Sequence, residues 1–230
     1  MRIDVITIFP DFVRQALNNS IIGRARAEKS VEIEATDLRD FTHDRRRTVD
    51  DAPYGGGAGM VLKPEPLFLA VESLRRDNSI VLLMSPQGRT FTQEKARELS
   101  AQDHLILICG HYEGFDERVR EYLVDEELSI GDFVLTGGEI PALAVIDSTV
   151  RLLPGVLGNA DSLSSESFED NLLEYPQYTR PADFRGWKVP DVLLSGHHEQ
   201  VAAWRRRRQE QSTQTKRPDL WRRHIDSNKL

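Results

Sequence analysis

The chain has 230 residues, room for one large α/β domain and a small appendage. Hydrophobic residues are 39% and charged residues 29%, an ordinary globular balance, and no apolar run approaches the roughly 20 residues that cross a bilayer. The single cysteine, Cys109, rules out an intrachain disulfide and disfavours a cysteine-based zinc site. The formal net charge of −7 argues against nucleic acid, but its distribution does not. Residues 1–170 carry 18 Lys and Arg against 30 Asp and Glu, a net of −12; residues 171–230 carry 12 against 7, a net of +5. An acidic body with a basic C-terminal end suits local docking of a polyanion, with a solvated charged helix face as the plain alternative.

The opening run, MRIDVITIFPDF, carries Asp4 and Pro10 with no cleavable apolar core behind it. It reads as a first strand rather than a signal peptide, so the cytoplasm is the expected compartment. Strand-like apolar runs follow at 3–9, 31–35, 80–84 and 105–109, nearly continuous in character as in strands buried on both faces of a parallel sheet. Helical spacing falls between them at 11–17, at 64–76 behind Pro64, at 92–99 and at 117–125. The alternation predicts an α/β layer architecture with crossover helices. Residues 140–153 form a further apolar helix. Stretches 39–60 and 154–181 lack periodicity, as functional loops do. Beyond Pro190, Ser195 reads as the cap of a helix through 197–209, and 218–224 as a closing helix. A boundary is expected near 160–175, where charge and pattern change.

Four glycine-bearing runs carry the chemistry. PYGGGAGM at 53–60 lacks the Lys-Ser/Thr of a phosphate loop and joins no obvious strand to a helix, so by itself it reads as a flexible loop. MSPQGR at 84–89 and CGHYEG at 109–114 each follow a strand-like run, and SIGDFVLTGGEIP spans 129–141. Ligands of open α/β sheets bind beyond the carboxyl ends of strands, and converging glycine turns bring backbone donors close to them. Cys109 reads as a small buried residue ending a strand rather than a nucleophile, since the local pattern supplies no base.

These runs in order, followed by RLLPGVLG, YPQYTRP and VLLSGHH, resemble the TrmD family of tRNA (guanine-N1)-methyltransferases over residues 1 to about 223. The resemblance implies a SPOUT-type parallel sheet with helices on both faces, a C-terminal trefoil knot and a small helical C-terminal domain. It implies residues 1–160 as the domain for S-adenosylmethionine, 161–175 as a linker carrying the catalytic acid, and 176–230 as the helical tRNA-binding domain. The implied partners are tRNA with guanine at position 37 and a second copy of the chain, with the active site at the subunit interface and no membrane. Magnesium is associated with the family's activity, although no oxygen cage is legible here. Cofactor residues carried over are Met84, Ser85, Pro86, Gly88, Gly110, Tyr112, Glu113, Ile130, Gly131, Asp132, Phe133, Val134, Leu135, Gly137, Gly138 and Pro141. Phe133 stands where the family often has tyrosine, which keeps ring stacking but loses a hydroxyl.

Guanine N1 is protonated at neutral pH, so methylation there needs a base, and charge growing toward O6 needs a donor. Arg151 and Glu166 match the family's catalytic arginine and acid, with Glu166 replacing its usual aspartate. Their plainer readings are a helix C-terminal cation and a solvated loop acid. Asp161, Glu169 and Asp170 are neighbouring acids. For tRNA, the loop residues Asp50, Tyr54, Gly55, Gly56 and Gly57 follow the resemblance, while Arg46, Arg47, Arg205 and Arg206 are expected phosphate contacts. His197 and His198 diverge on a helix and lack a third ligand. The rival readings are ribose 2′-hydroxyl methylation by a related SPOUT enzyme, a non-catalytic RNA-binding protein, and a nucleotide hydrolase.

Overall fold

The computed structural model describes residues 1–158 and 166–227, and the chain forms two units, Met1–Gly158 and Asn159–Leu230. In the first unit the order is β1 Arg2–Thr7, α1 Pro10–Leu17, α2 Ser20–Ala27, β2 Glu32–Asp37, β3 Asp50–Asp51, β4 Val61–Leu62, α3 Pro64–Leu74, β5 Ser79–Thr90, α4 Gln93–Ser100, β6 His104–Cys109, α5 Glu117–Tyr122, β7 Glu126–Ser129 and α6 Glu139–Val150. Five strands form one sheet in the order β2-β1-β6-β5-β7, and every neighbouring pair is parallel.

Alternation sorts the strand side chains onto two faces. Leu82, Met84, Leu105, Leu107 and Cys109 join α1, α2, α4 and α6 in one core, while Val81, Leu83, Ile106 and Ile108 join α3 and α5 in the other. Each fully buried Leu or Ile contributes roughly 1.5–3 kcal/mol relative to exposure, so both faces must be covered. Helix starts follow the sequence: Pro64 opens α3, Thr92 Oγ1 accepts from Lys95 N–H at the start of α4, and Asp116 accepts from Arg118 N–H at the start of α5.

Three elements differ from the sequence expectation. Strand β7 was hidden by its charged pair Glu126 and Glu127; the Glu126 carboxylate pairs with Lys95, and Glu127 lies 3.2 Å from Arg120. Burial works against the Lys95 ammonium, but its hydrogen bonds to Glu126 and Glu98 outweigh that and raise its pKa. The run SPQGR does not end β5. It is an irregularity inside the strand, whose pairing with β7 shifts between Met84 and Arg89. Helix α2 carries little periodic signal, with only Ile22 and Ala25 buried.

The second unit contains β8 Asp183–Phe184, β9 Trp187–Lys188, α7 Asp191–Leu194, α8 His198–Lys216 and α9 Pro218–Ser227. β8 and β9 pair antiparallel across Arg185 and Gly186, both at positive φ. Ser195 does not cap α8. It closes α7, and its hydroxyl accepts from His197 N–H, while His197 takes the capping position. Thr213 Oγ1 of α8 accepts from Leu173 N–H at 2.8 Å, and His224 Nδ1 of α9 lies 2.7 Å from the Asp170 carbonyl. Among the described residues no helix is long and apolar enough to cross a membrane.

Candidate functional site

In the first unit, the carboxyl ends of β5, β6 and β7 open onto a cavity of about 270 Å³. Three segments line it. Met84, Ser85 and Pro86 come from the irregular part of β5, Gly110, Tyr112 and Glu113 follow β6, and Ile130, Gly131, Phe133, Val134, Leu135, Gly137, Gly138 and Pro141 lead from β7 into α6. Fourteen of the sixteen expected cofactor residues therefore meet at one place. Gly88 and Asp132 do not line it. A Cβ on Gly88 would come 2.5 Å from the Glu127 and Leu128 backbone, so this glycine packs β5 onto β7. The sequence reading missed Gln87, His111, Gly114, Phe115, Arg120, Leu128, Ser129 and Thr136 in the lining. Gln87, His111, Gly114, Ser129 and Thr136 lay within the motifs quoted; Phe115, Arg120 and Leu128 belong to flanking elements.

The turns are fastened to each other. Gly138 N–H donates to the Gly110 carbonyl at 2.8 Å, and His111 bridges antiparallel to Gly137. A Cβ on Gly138 would stand 2.7 Å from Cys109 Cα and 2.8 Å from Gly110 N. Real Cβ atoms do not approach backbone that closely, so glycine at 138 lets the start of α6 reach the end of β6. Thr7 Oγ1 donates to Glu139 Oε1 at 2.6 Å, tying the same helix start to β1. Burial pushes the Cys109 thiol well up, with the Glu139 charge adding to it, as befits an inert packing residue. Above the floor, Tyr112 and Phe133 are 47% and 53% exposed, leaving ring faces open at the rim.

The glycine-rich loop roots beside this cavity. It is the tip of the β3–β4 ribbon, where Asp50 pairs with Leu62. Glu113 N–H donates to the Met60 carbonyl at 3.0 Å, and Leu62 N–H to the Gly114 carbonyl at 2.9 Å. Gly55, Gly56 and Gly57 have φ of 86°, 78° and 132°, which side-chain-bearing residues rarely adopt. Tyr54 is wholly exposed.

Of the expected basic contacts, Arg46 is exposed, whereas Arg47 is held by the Asp40 carboxylate and Arg206 by Glu210 at 3.0 Å with His224 at 3.2 Å. Arg205 stacks over Tyr175 at 4.7 Å. Arg151 caps the C-terminus of α6 and is half-buried; its N–H donates to the Asp147 carbonyl. Glu166 belongs to the second unit and is half-buried, with its carbonyl accepting from Glu169 N–H. Asp161 lies outside the described residues. His197 is exposed, and among the described residues no group of three or more His, Cys, Asp or Glu gathers as a metal site.

A parallel sheet with a glycine-floored cleft at its carboxyl edge defines an α/β protein of the class that binds a ligand across strand ends. The family model described as tRNA (Guanine-1)-methyltransferase TrmD matches residues 1–223, and the chain belongs to that family. A relative from Gloeobacter violaceus is 64% identical over 222 residues, covering 96% of this chain and 98% of that protein. One from Trichodesmium erythraeum is 59% identical over 222 residues, covering 96% and 97%. One from Halalkalibacterium halodurans is 56% identical over 223 residues, covering 96% and 91%. All three are named tRNA (guanine-N(1)-)-methyltransferase.

Proposed function

We propose that the chain transfers a methyl group from S-adenosylmethionine to N1 of guanine 37 in tRNA. The observation that carries this reading is the meeting of the irregular segment of β5 and two glycine turns over one cavity in a member of the TrmD family. The cleft suits the cofactor: Met84, Ile130, Leu135 and Pro141 offer apolar walls for a purine, and the Glu113 carboxylate and glycine backbone offer polar edges. When bound, the cofactor supplies an electrophilic methyl on a sulfonium. The chain's task is therefore to prepare the nucleophile.

Glu166 takes the proton from guanine N1 as the methyl arrives. Arg151, which follows the last residue of α6, stabilises the charge that grows at O6. Glu166 carries one methylene more than aspartate, which moves the carboxylate by about one bond length toward or away from N1. The exposed loop at Tyr54 and Gly55–Gly57 contacts the anticodon loop beside the target base, and Arg46 meets phosphate. The C-terminal part of the SPOUT fold is knotted, residues 161–175 link the cofactor domain to the tRNA-binding helices, and two copies pair to complete each active site. Exposed Phe9, Phe12 and Ile140 support that pairing as apolar surface needing a cover. Magnesium is associated with this family's activity, and among the described residues no group of three or more His, Cys, Asp or Glu gathers that would hold it. The working compartment is the cytoplasm.

Incubating the protein with S-adenosylmethionine and an unmodified tRNA transcript, then mapping the product by nuclease digestion and mass spectrometry, tests the reading. It predicts N1-methylguanosine; a methyl on ribose, or none, defeats it.

A further inference from the structure

Within the second unit lies a second cavity, of about 380 Å³, that neither Arg151 nor Glu166 lines. Its walls include Tyr175, Tyr178, Arg180, Leu193, Trp204 and Arg205. The Tyr178 and Trp204 rings are tilted by 55° with centroids 6.4 Å apart, so they form two sides of a cleft rather than a closed stack. Arg205 lies over Tyr175 at 4.7 Å, and Arg208 over the Trp204 ring at 5.7 Å. The described lining holds no carboxylate. Tyr178 is 46% exposed and Leu194, on the same wall, 60%.

We propose that this cleft holds an unpaired nucleobase of the RNA substrate. Aromatic faces accept any base by stacking, guanidinium planes extend the stack, and cationic charge without a competing acid attracts the attached phosphate. Charge complementarity selects this occupant over an acid-free apolar segment: two arginines line the cleft and a third stacks on its wall. The unit also buries few apolar side chains of its own, Leu172 and Leu220 among the described residues, and leaves the cleft's Tyr175, Val189, Leu193, Val201 and Trp204 only half-buried. The proposal rests on RNA being the substrate and adds a second holding point, lined by neither Arg151 nor Glu166, that contributes to binding rather than to the methyl-transfer step.

The chain has 3 tryptophans, and a full-length Trp187→Phe, Trp221→Phe variant leaves Trp204 as the sole reporter without altering the cleft. Adding tRNA transcript, or a short unstructured oligoribonucleotide, is expected to quench Trp204 emission saturably. The matching variant that keeps only Trp221 should show no such quenching by the oligoribonucleotide. In steady-state assays Trp204→Ala is expected to raise the tRNA KM roughly ten-fold, with kcat and the cofactor KM little changed, and Trp204→Phe to restore most of the loss. Unquenched Trp204 in a protein that binds and methylates tRNA overturns the cleft and leaves the enzymatic reading intact. Quenching by RNA without methylation supports the cleft while sinking that reading. Emission that changes with protein concentration alone assigns the cleft to a second copy and overturns the proposal.

Discussion

In the first unit β5 and β6 are apolar on both faces and the turns after β6 and β7 are fastened to each other; in the second, Leu172 and Leu220 are the buried apolar side chains among the described residues. The second unit instead leaves Tyr178, Phe184, Trp187 and Leu194 about half exposed or more. The contrast separates two ways of making a binding surface. A cleft built on a dense core is fixed before its ligand arrives, and changes to it are felt as stability. A surface with a thin core shows its aromatic groups to a partner, and changes there are felt as affinity.

The largest expected effect falls on chemistry. Arg151→Ala and Glu166→Ala should each lower turnover by about 10²–10⁴ while cofactor affinity, read by calorimetry, changes little. Glu166→Asp should keep much of the rate; a Glu166→Ala enzyme with near-normal turnover would remove that residue from the mechanism. Next comes Gly138→Val. Its side chain would collide with the Cys109 and Gly110 backbone, so thermal denaturation should show a loss of about 1–3 kcal/mol or more. Weaker cofactor binding at unchanged melting temperature would break the contrast by making 138 a ligand contact alone.

The smallest effect lies in the second unit. The Arg217 guanidinium hydrogen-bonded to Asp219 holds that carboxyl down at about 2, below its ordinary 3.8. A depressed carboxyl stabilises the fold above its ordinary value and loses that contribution as pH falls through its folded value. Wild type should therefore exceed Asp219→Asn in stability above about pH 4, and the difference should fade toward pH 2; solvent screening keeps it small. A constant difference across that window would deny the pair its role.

CGHYEG was legible as a wall of the cradle because it ends the apolar run of β6, whereas SPQGR lies inside β5. What escaped had a physical disguise. Glu126 and Glu127 conceal β7 because Lys95 and Arg120 neutralise them, a pairing visible only in three dimensions. Gly138 lines the cleft as expected, but the sequence did not show that its missing Cβ also makes room for the Cys109 and Gly110 backbone. Arg205 and Arg206 read alike as phosphate contacts, but Arg206 is held by Glu210 and His224 while Arg205 lines an aromatic cleft. Charge runs record composition; which charges face outward is settled by packing. The aromatic cleft itself draws on Tyr175, Leu193 and Trp204, too far apart in sequence for spacing to bring together.

The most direct test of the enzymatic reading pairs the same tRNA transcript with guanine or adenine at position 37 and follows labelled methyl from S-adenosylmethionine. The account predicts incorporation with guanine, recovered as N1-methylguanosine, and none with adenine. Equal incorporation into both transcripts, or a label recovered on ribose, would contradict it.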